Sequence, residues 1–406
     1  MYLRLAFRNI FRNKVRSLIT LGAISFGCIS LIIAGGFIEN TFIQLRESYI
    51  RSFLGHIQVY KKGFLEQGVA RPFDFMISNP DEVIKKITDH PHVVAATPRL
   101  EFSGLLSTGE TTVSFIGQGV NPKWENQIST FVQLEKGENL AEGDTYKTIL
   151  GKGLSEALMA KAGDPLVLVA NTKSGAINAL DMEVKGVFFT SSKAYDDRAL
   201  RVPVEVAQKL LHTDDIQTIV VLLDDTSETD AVIAGLNERF KKDGLDLEVK
   251  PWYDMADFYT KTVDLYKRQF FVLKLIIGIV VVLSVFNTMN MAILERIGEV
   301  GTIMALGTKR RGVVTLFLLE GLILGIVGGV IGVASGYLLA MLISYIGIPM
   351  PPPPGATIYW TAQIEMVPAI FAFAFVLAIV TSVVSSCYPA IKASRLEIAE
   401  ALRHNI

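Results

Sequence analysis

The side chains able to do chemistry are scattered through this chain. Its five histidines, His56, His90, His92, His212 and His404, share no ligand spacing, and His90 and His92 flank Pro91 in what reads as a solvated turn. Asp196-Asp197, Asp214-Asp215 and Asp224-Asp225 are adjacent acids. Neighbours in a strand point to opposite faces, so these pairs read as loop charges. A phosphate loop of the form G-x-x-x-x-G-K-[ST] is absent, and Gly151-Lys152-Gly153 lacks both the upstream glycine and the hydroxyl residue. Cys28 and Cys387 are the only cysteines and sit in apolar runs, as packing residues. The expectation is a chain that is not an enzyme and binds no metal or cofactor itself. One acid stands apart. Glu320 lies inside an apolar run, where a carboxylate must face protein or find a basic partner. A structural pair with an Arg or Lys is expected there.

The second chemical feature is Glu295–Gly307, ERIGEVGTIMALG, a polar stretch punctuated by glycine between two long apolar runs. Ile297, Val300, Ile303, Met304 and Leu306 recur at helical spacing, and Gly307 ends them as a cap. The segment predicts a short amphipathic helix between two membrane spans, with Lys309, Arg310 and Arg311 after it.

Composition sets the context for both. Half of the 406 residues are hydrophobic and 19% are charged, with mean hydropathy +0.39. Soluble and membrane parts must alternate, and a net charge of −1 gives no sign of a nucleic-acid partner. Four runs are long enough to span, since a bilayer core needs about 20 apolar residues as helix. The expected organisation is an interfacial helix over 1–16, spans at 17–40, 268–292, 313–347 and 367–391, and a large domain at 41–267. A coupling segment at 293–312, a Pro-rich loop at 348–366 and a C-terminal segment at 392–406 complete it. Basic residues gather before the first span, between the second and third, and after the fourth, which places both termini in the cytoplasm. The first run is read as a retained span, not a cleaved signal peptide. Leu3, Phe7, Ile10, Phe11 and Val15 share one face opposite Arg4, Arg8 and Arg12, as in an interfacial helix. The third span carries two glycine rows at i+4 spacing, Gly321, Gly325, Gly329 and Gly328, Gly332, Gly336, which invite close helix approach. Four prolines, Pro351–Pro354, predict a stiff extended arm.

The insert reads as mixed α/β. Strands are expected at Gly55–Tyr60, Val93–Thr97, Leu100–Ser107, Thr111–Val120, Pro165–Ala170, Met182–Thr190, Thr218–Leu223 and Leu247–Lys250. Helices are expected at Pro80–His90, with Asn79 as N-cap, and at Glu228–Lys241. Tyr253–Lys267 should continue as helix into the second span. The plan is a discontinuous α/β subdomain with a more β-rich subdomain inserted over 121–202.

With these residues in place, the chain resembles the FtsX/MacB/LolC-type permease family of ABC transporters, the type VII or mechanotransmission class. Three blocks carry the likeness: LAFRNIFRNKVRSLIT, ERIGEVGTIMALGTKRRGVVTLFLLEGLILGIVGGVIG and YPAIKASRLEIAEALR. The resemblance implies an α-helical membrane protein with four transmembrane helices and a large extracytoplasmic α/β domain of the MacB-like periplasmic kind. It implies a permease subunit in an inner membrane, paired with an identical or homologous permease and two copies of an ATPase that binds ATP and Mg. Glu295, Arg296, Gly298, Glu299, Gly301, Met304 and Gly307 would then form the ATPase-coupling segment, with Glu295, Glu299 and Gly301 at the contact. The layout is most similar to LolC and LolE, which implies extraction of lipoproteins or lipid-anchored cargo in a Gram-negative bacterium. Ile32, Phe37, Phe42, Phe270, Phe271 and Ile277 are the candidate cargo contacts. The loop at 171–180 is comparable to a carrier-docking loop, with Asn171, Thr172, Lys173, Ser174 and Gly175 as its candidate partner residues. A periplasmic carrier or adaptor is a further implied partner. Two alternatives stay open: an FtsX-like transmitter that activates a periplasmic partner without cargo, and MacB-like export of a small amphiphile.

Overall fold

The computed structural model describes residues 2–12, 14–68, 70–190, 192–351 and 359–395. The chain divides into a helical unit (1–43, 262–349 and 361–406) and an α/β unit (44–261 and 350–360).

In the helical unit, four helices among the described residues are long and apolar enough to cross a membrane. They begin at Lys14, Asp257, Arg310 and Pro368 and run to Tyr49, Leu294, Ile346 and Ser394. Each extends past its apolar run, because helical hydrogen bonding does not stop where the hydropathy does. The expected continuous helix from Tyr253 is broken: Trp252–Met255 forms one turn, Ala256 leaves helical geometry, and the second spanning helix starts at Asp257. Ile24, Cys28, Leu31 and Ile32 of the first helix pack with Val281 and Val285 of the second, Leu324 of the third, and Ala374 and Ala378 of the fourth. The second helix is the least covered, and leaves Phe271, Leu275, Ile279 and Leu283 exposed.

The α/β unit is built on one sheet. Its strands among the described residues are β1 (Ile57–Lys61), β2 (Val93–Ser107), β3 (Thr112–Val120), β4 (Gln133–Gly137), β5 (Lys147–Gly151), β6 (Pro165–Asn171), β7 (Ile177–Phe189), β8 (Ala199–Pro203), β9 (Thr218–Leu223) and β10 (Leu247–Pro251). Their order is β10-β1-β9-β2-β3-β8-β5-β7-β4, with β6 between β2 and β7. The middle region therefore joins the outer strands through the β2–β6 and β3–β8 ladders. Strand β2 was expected as two pieces separated at Pro98. It is continuous because proline fits an extended backbone and the ladder to β3 begins only at Arg99. Helices Pro80–Thr88, Val204–Leu211 and Thr229–Lys242 cover the sheet with Val83, Ile87, Ala207, Leu210, Val232, Leu236 and Phe240. Asn79 occupies the N-cap position but is left-handed (φ 54°) and makes no side-chain cap bond, so it acts as a turn residue.

Candidate functional site

The coupling helix runs Ile297–Ala305. Glycine is required at its end: Gly307 is left-handed at φ 96°, and its N–H donates to the Met304 carbonyl. Val300 and Met304 turn inward onto Ile293, Val313, Phe317, Ala390 and Ala393.

The start of this helix is held by a buried ion network. Arg296 is 6% exposed and Glu320 only 4%. Arg296 Nη1 donates to both Glu320 oxygens at 3.1 and 3.4 Å, and its Nε donates to Glu299 Oε2 at 3.0 Å. Asn9 Nδ2, from the N-terminal helix Tyr2–Arg12, donates to Glu320 Oε1 at 2.6 Å. Glu299 also pairs with Arg12, and Glu295 pairs with Arg16. Burial would raise the Glu299 carboxyl, but the bonds from Arg296 and Arg12 hold it below the usual carboxylate range. A buried carboxylate needs this kind of paired and hydrogen-bonded surrounding. The cost of an unpaired acid in an apolar run anticipates a basic partner for Glu320 but not Asn9. The only available signal was an amide among apolar residues on the N-terminal helix.

That helix turns a narrow face to the rest of the chain. Its contact face is Ala6 and Asn9, both buried, while Leu3 and Phe7 remain exposed. Val15 is exposed as well, while Phe7 lines a groove with Ile10 and Leu324.

Three residues of the expected coupling segment, one of them the contact candidate Gly301, are turned inward. Gly298, Gly301 and Met304 are buried within this chain, so the close approach that small residues permit is used intramolecularly. Arg296 is likewise internal. Glu295 and Glu299 stay half-exposed while salt-bridged. The residues of the segment that stay exposed include Thr302, Ala305, Gly307 and above all Leu306, which is 83% exposed. Periodicity had placed Leu306 on the apolar face. The turn through Gly307 rotates it outward.

The glycine rows serve two different neighbours. A Cβ at Gly321, Gly325 or Gly329 would meet Ser386, Ile379 or Phe375 of the fourth helix. One at Gly328, Gly332 or Gly336 would meet Ile24, Cys28 or Ile32 of the first. Hydroxyls use the closeness: Ser382 Oγ donates to the Gly321 carbonyl at 2.7 Å and Ser25 Oγ to that of Gly328 at 3.0 Å.

The cargo candidates do not form one surface. Ile32 is packed in the helical core, and Phe42 is buried edge-on to Tyr266. Phe37, Phe270 and Ile277 are partly buried, and Phe271 is exposed. Ile32 and Phe42 are therefore corrected to packing residues, their side chains taken up by neighbouring helices. The partner loop is also shorter than expected. Residues 177–180 belong to β7, and the turn is closed by the Thr172 N–H to the Ala176 carbonyl. Thr172 is buried, its hydroxyl lies 3.0 Å from that of Ser174, and Lys173 pairs with Asp215. Of the proline arm, Pro352–Gly355 lie outside the described residues.

A second ion cluster, in the α/β unit, went unseen in the sequence. Glu125 accepts from Arg99 Nη2 at 2.7 Å and lies 3.4 Å from Arg201 Nη1. The two arginines also hold the carbonyls of Phe53 and Ser52, in the turn Ile50–Leu54. Burial would raise Glu125, but the arginines keep it below the carboxylate range. The cluster thus pins the segment that leads into β1.

Comparison with known proteins agrees with this architecture. Residues 17–239, more than half of the chain, match the model of the MacB-like periplasmic core domain. Residues 271–398 match the FtsX-like permease C-terminal model. The fold and the coupling segment define the class: a membrane permease with four spanning helices and a large α/β domain of periplasmic type. The chain belongs to the MacB-like periplasmic core domain family and is an ABC transporter permease of the FtsX/MacB/LolC type. It is similar to the ABC transporter permease YvrN of Bacillus subtilis, at 26% identity over 99% of each chain. It is similar to the lipoprotein-releasing system transmembrane protein LolC of Neisseria meningitidis serogroup B, at 23% identity over 99% of this chain and 97% of that one. The macrolide export ATP-binding/permease protein MacB of Brucella abortus is 26% identical over 78% of this chain and 47% of its own length. Among solved structures, the periplasmic region of MacB from Actinobacillus actinomycetemcomitans aligns at TM-score 0.39 and 16% identity, covering 54% of this chain and 95% of that one.

Proposed function

We propose that this chain is the permease subunit of an inner-membrane ABC transporter that releases lipoproteins or other lipid-anchored cargo. ATP and Mg bind a separate ATPase subunit, two copies per pair of permeases, since this chain carries no phosphate loop. Both termini and the coupling helix face the cytoplasm, and the large domain lies on the other side. The observation that carries the reading is the Arg296–Glu320–Asn9 network at one end of the helix that bears the exposed Leu306 at its other end. A push on Leu306 reaches the third spanning helix through Arg296 and the N-terminal helix through Asn9 without crossing a soft joint. The similarity to LolC along nearly the whole of both chains favours lipidated cargo.

Leu306→Asp tests the mechanical part. The variant should fold and insert, lose ATPase co-purification about tenfold, and stop ATP-dependent release. Unchanged co-purification and release would overturn the contact. Cargo is tested by incubating membranes holding the chain and its ATPase with ATP and following a lipidated protein into the soluble fraction. Efflux of a small amphiphile without lipoprotein release would favour the export reading. ATP-driven activation of a periplasmic partner with neither would favour a signalling transmitter.

A further inference from the structure

A groove opens between the N-terminal helix, the start of the first spanning helix and the middle of the third. Ile10, Leu18 and Leu21 face Leu324 and Val327 across it, and its volume is about 280 Å³. That is close to the ~300 Å³ lower bound of small-molecule sites. Among the described residues that line it, two are polar, Ser17 and Lys14. The Ser17 hydroxyl is already spent, donating to the Ile10 carbonyl at 2.6 Å. Lys14 is exposed and forms no ion pair among the described residues, whereas its neighbours Arg12 and Arg16 are committed to Glu299 and Glu295. Phe7 also lines the groove, and Val15 and Ile19, on the same first spanning helix as Leu18, are exposed.

We propose that this groove binds one acyl chain of an anionic phospholipid from the leaflet nearest the chain's termini, with Lys14 on the lipid phosphate. A dry apolar cleft suits a hydrocarbon chain and does not suit water, which needs two or more polar partners. The lysine stem follows the apolar wall while its ammonium reaches the headgroup. A negative headgroup fits because, among the described residues, no acid lines the groove and the cation that does, Lys14, forms no ion pair. The N-terminal helix that walls the site also supplies Asn9 and Arg12 to Glu320 and Glu299. Lipid in the groove therefore braces the helix that holds the coupling segment.

The test uses the full chain in mixed phosphatidylglycerol and phosphatidylcholine bilayers. Leu18→Trp places a reporter in the groove, and Val380→Trp places one on the exposed face of the fourth helix. Quenching by brominated chains of either lipid is measured, with the wild-type signal from native tryptophans subtracted. At position 18 phosphatidylglycerol should be preferred about fivefold, the factor one lysine near an anionic surface supplies. Lys14→Gln should reduce that ratio to near unity, and position 380 should show no preference in either background. Equal quenching at position 18 would mean ordinary surrounding lipid and overturn the proposal. A preference that survives Lys14→Gln would overturn it too, as would absence of quenching, which would mean the groove is filled by protein. Should Leu18→Trp misfold, phosphatidylglycerol retained through gentle purification gives an independent reading. The wild type should keep it and Lys14→Gln should lose it, whereas equal retention counts against the site.

Discussion

At the scale of single residues, the chain protects its buried charges by surrounding them. Removing one partner of such a pair costs about 3–5 kcal/mol because the other charge is left uncompensated, while replacing both by apolar groups costs far less. Arg296→Met and Glu320→Leu should therefore each lower the thermal midpoint of the detergent-solubilised chain sharply. The double variant should recover most of the loss, so that the coupling energy exceeds the cost of either single change. Additive losses would mean that the pair is not energetically joined. In the α/β unit, two titrating groups act with opposite signs. His56 is buried, accepts at Nδ1 from the Leu223 N–H at 3.1 Å, and lies with Nε2 3.0 Å from the Thr226 hydroxyl. Burial pushes its pKa down to about 4. A depressed histidine contributes stability that is present above its unfolded pKa near 6.5 and lost as pH falls through about 4, by at most about 3 kcal/mol. Asp196 is the reverse case: burial pushes it up to about 6. Its contribution is present below the unfolded value near 3.8 and lost as pH rises through about 6. Acidification from pH 7 to 4 thus sets the two against each other. Hydrogen exchange of the α/β unit within the full chain should show a flattened or reversed acid loss in His56→Gln. Asp196→Asn should show a steeper one, and identical pH profiles in the two variants would refute both assignments.

At the scale of elements, helix packing in the helical unit rests on absent side chains. Gly332 lies against Cys28 Cβ and the Ser25 backbone at separations a Cβ would reduce to 2.6 and 2.9 Å, so any larger residue must part the third helix from the first. Gly278, on the second helix, has nothing within 4 Å of its virtual Cβ. Gly332→Leu should lower the melting temperature and the yield of inserted protein, and Gly278→Leu should change neither. Equal behaviour of the two would mean that the glycines serve chain synthesis or insertion, not packing. The strand pattern makes a related point. The expected strands include β3 and β9 but not β4, β5 or β8: β4 is wholly exposed, β5 is largely buried and β8 fully buried, so none shows a one-face alternation. Strand β2 runs unbroken through Pro98, where the expectation has two pieces, because proline is compatible with an extended backbone.

At the scale of the whole molecule, the proposed orientation makes a direct prediction. With Cys28 and Cys387 replaced by serine, a single cysteine at Glu110 should react with an impermeant thiol reagent in cells with a permeabilised outer layer. One at Thr308 should react only after the membrane itself is opened. Labelling at Thr308 in intact cells would invert the topology and remove the coupling helix from any cytoplasmic ATPase.

The sequence alone determined the four spanning helices, the mixed α/β insert, the glycine rows and the need for a basic partner at Glu320. Each depends on properties that run along the chain: hydropathy over about 20 residues, periodicity, and the cost of an unpaired acid in lipid. Only the tertiary structure decided which surfaces remain open. Gly298, Gly301, Met304 and Ile32 have the composition of contact residues and are buried, while Leu306 has that of a core residue and is 83% exposed. Asn9 lies 311 positions from the Glu320 it serves, and Arg99 and Arg201 reach Glu125 from different strands. No local pattern encodes such pairings. They exist because folding brings polar groups out of water together, and each must then find its partner among whatever residues the topology has placed nearby.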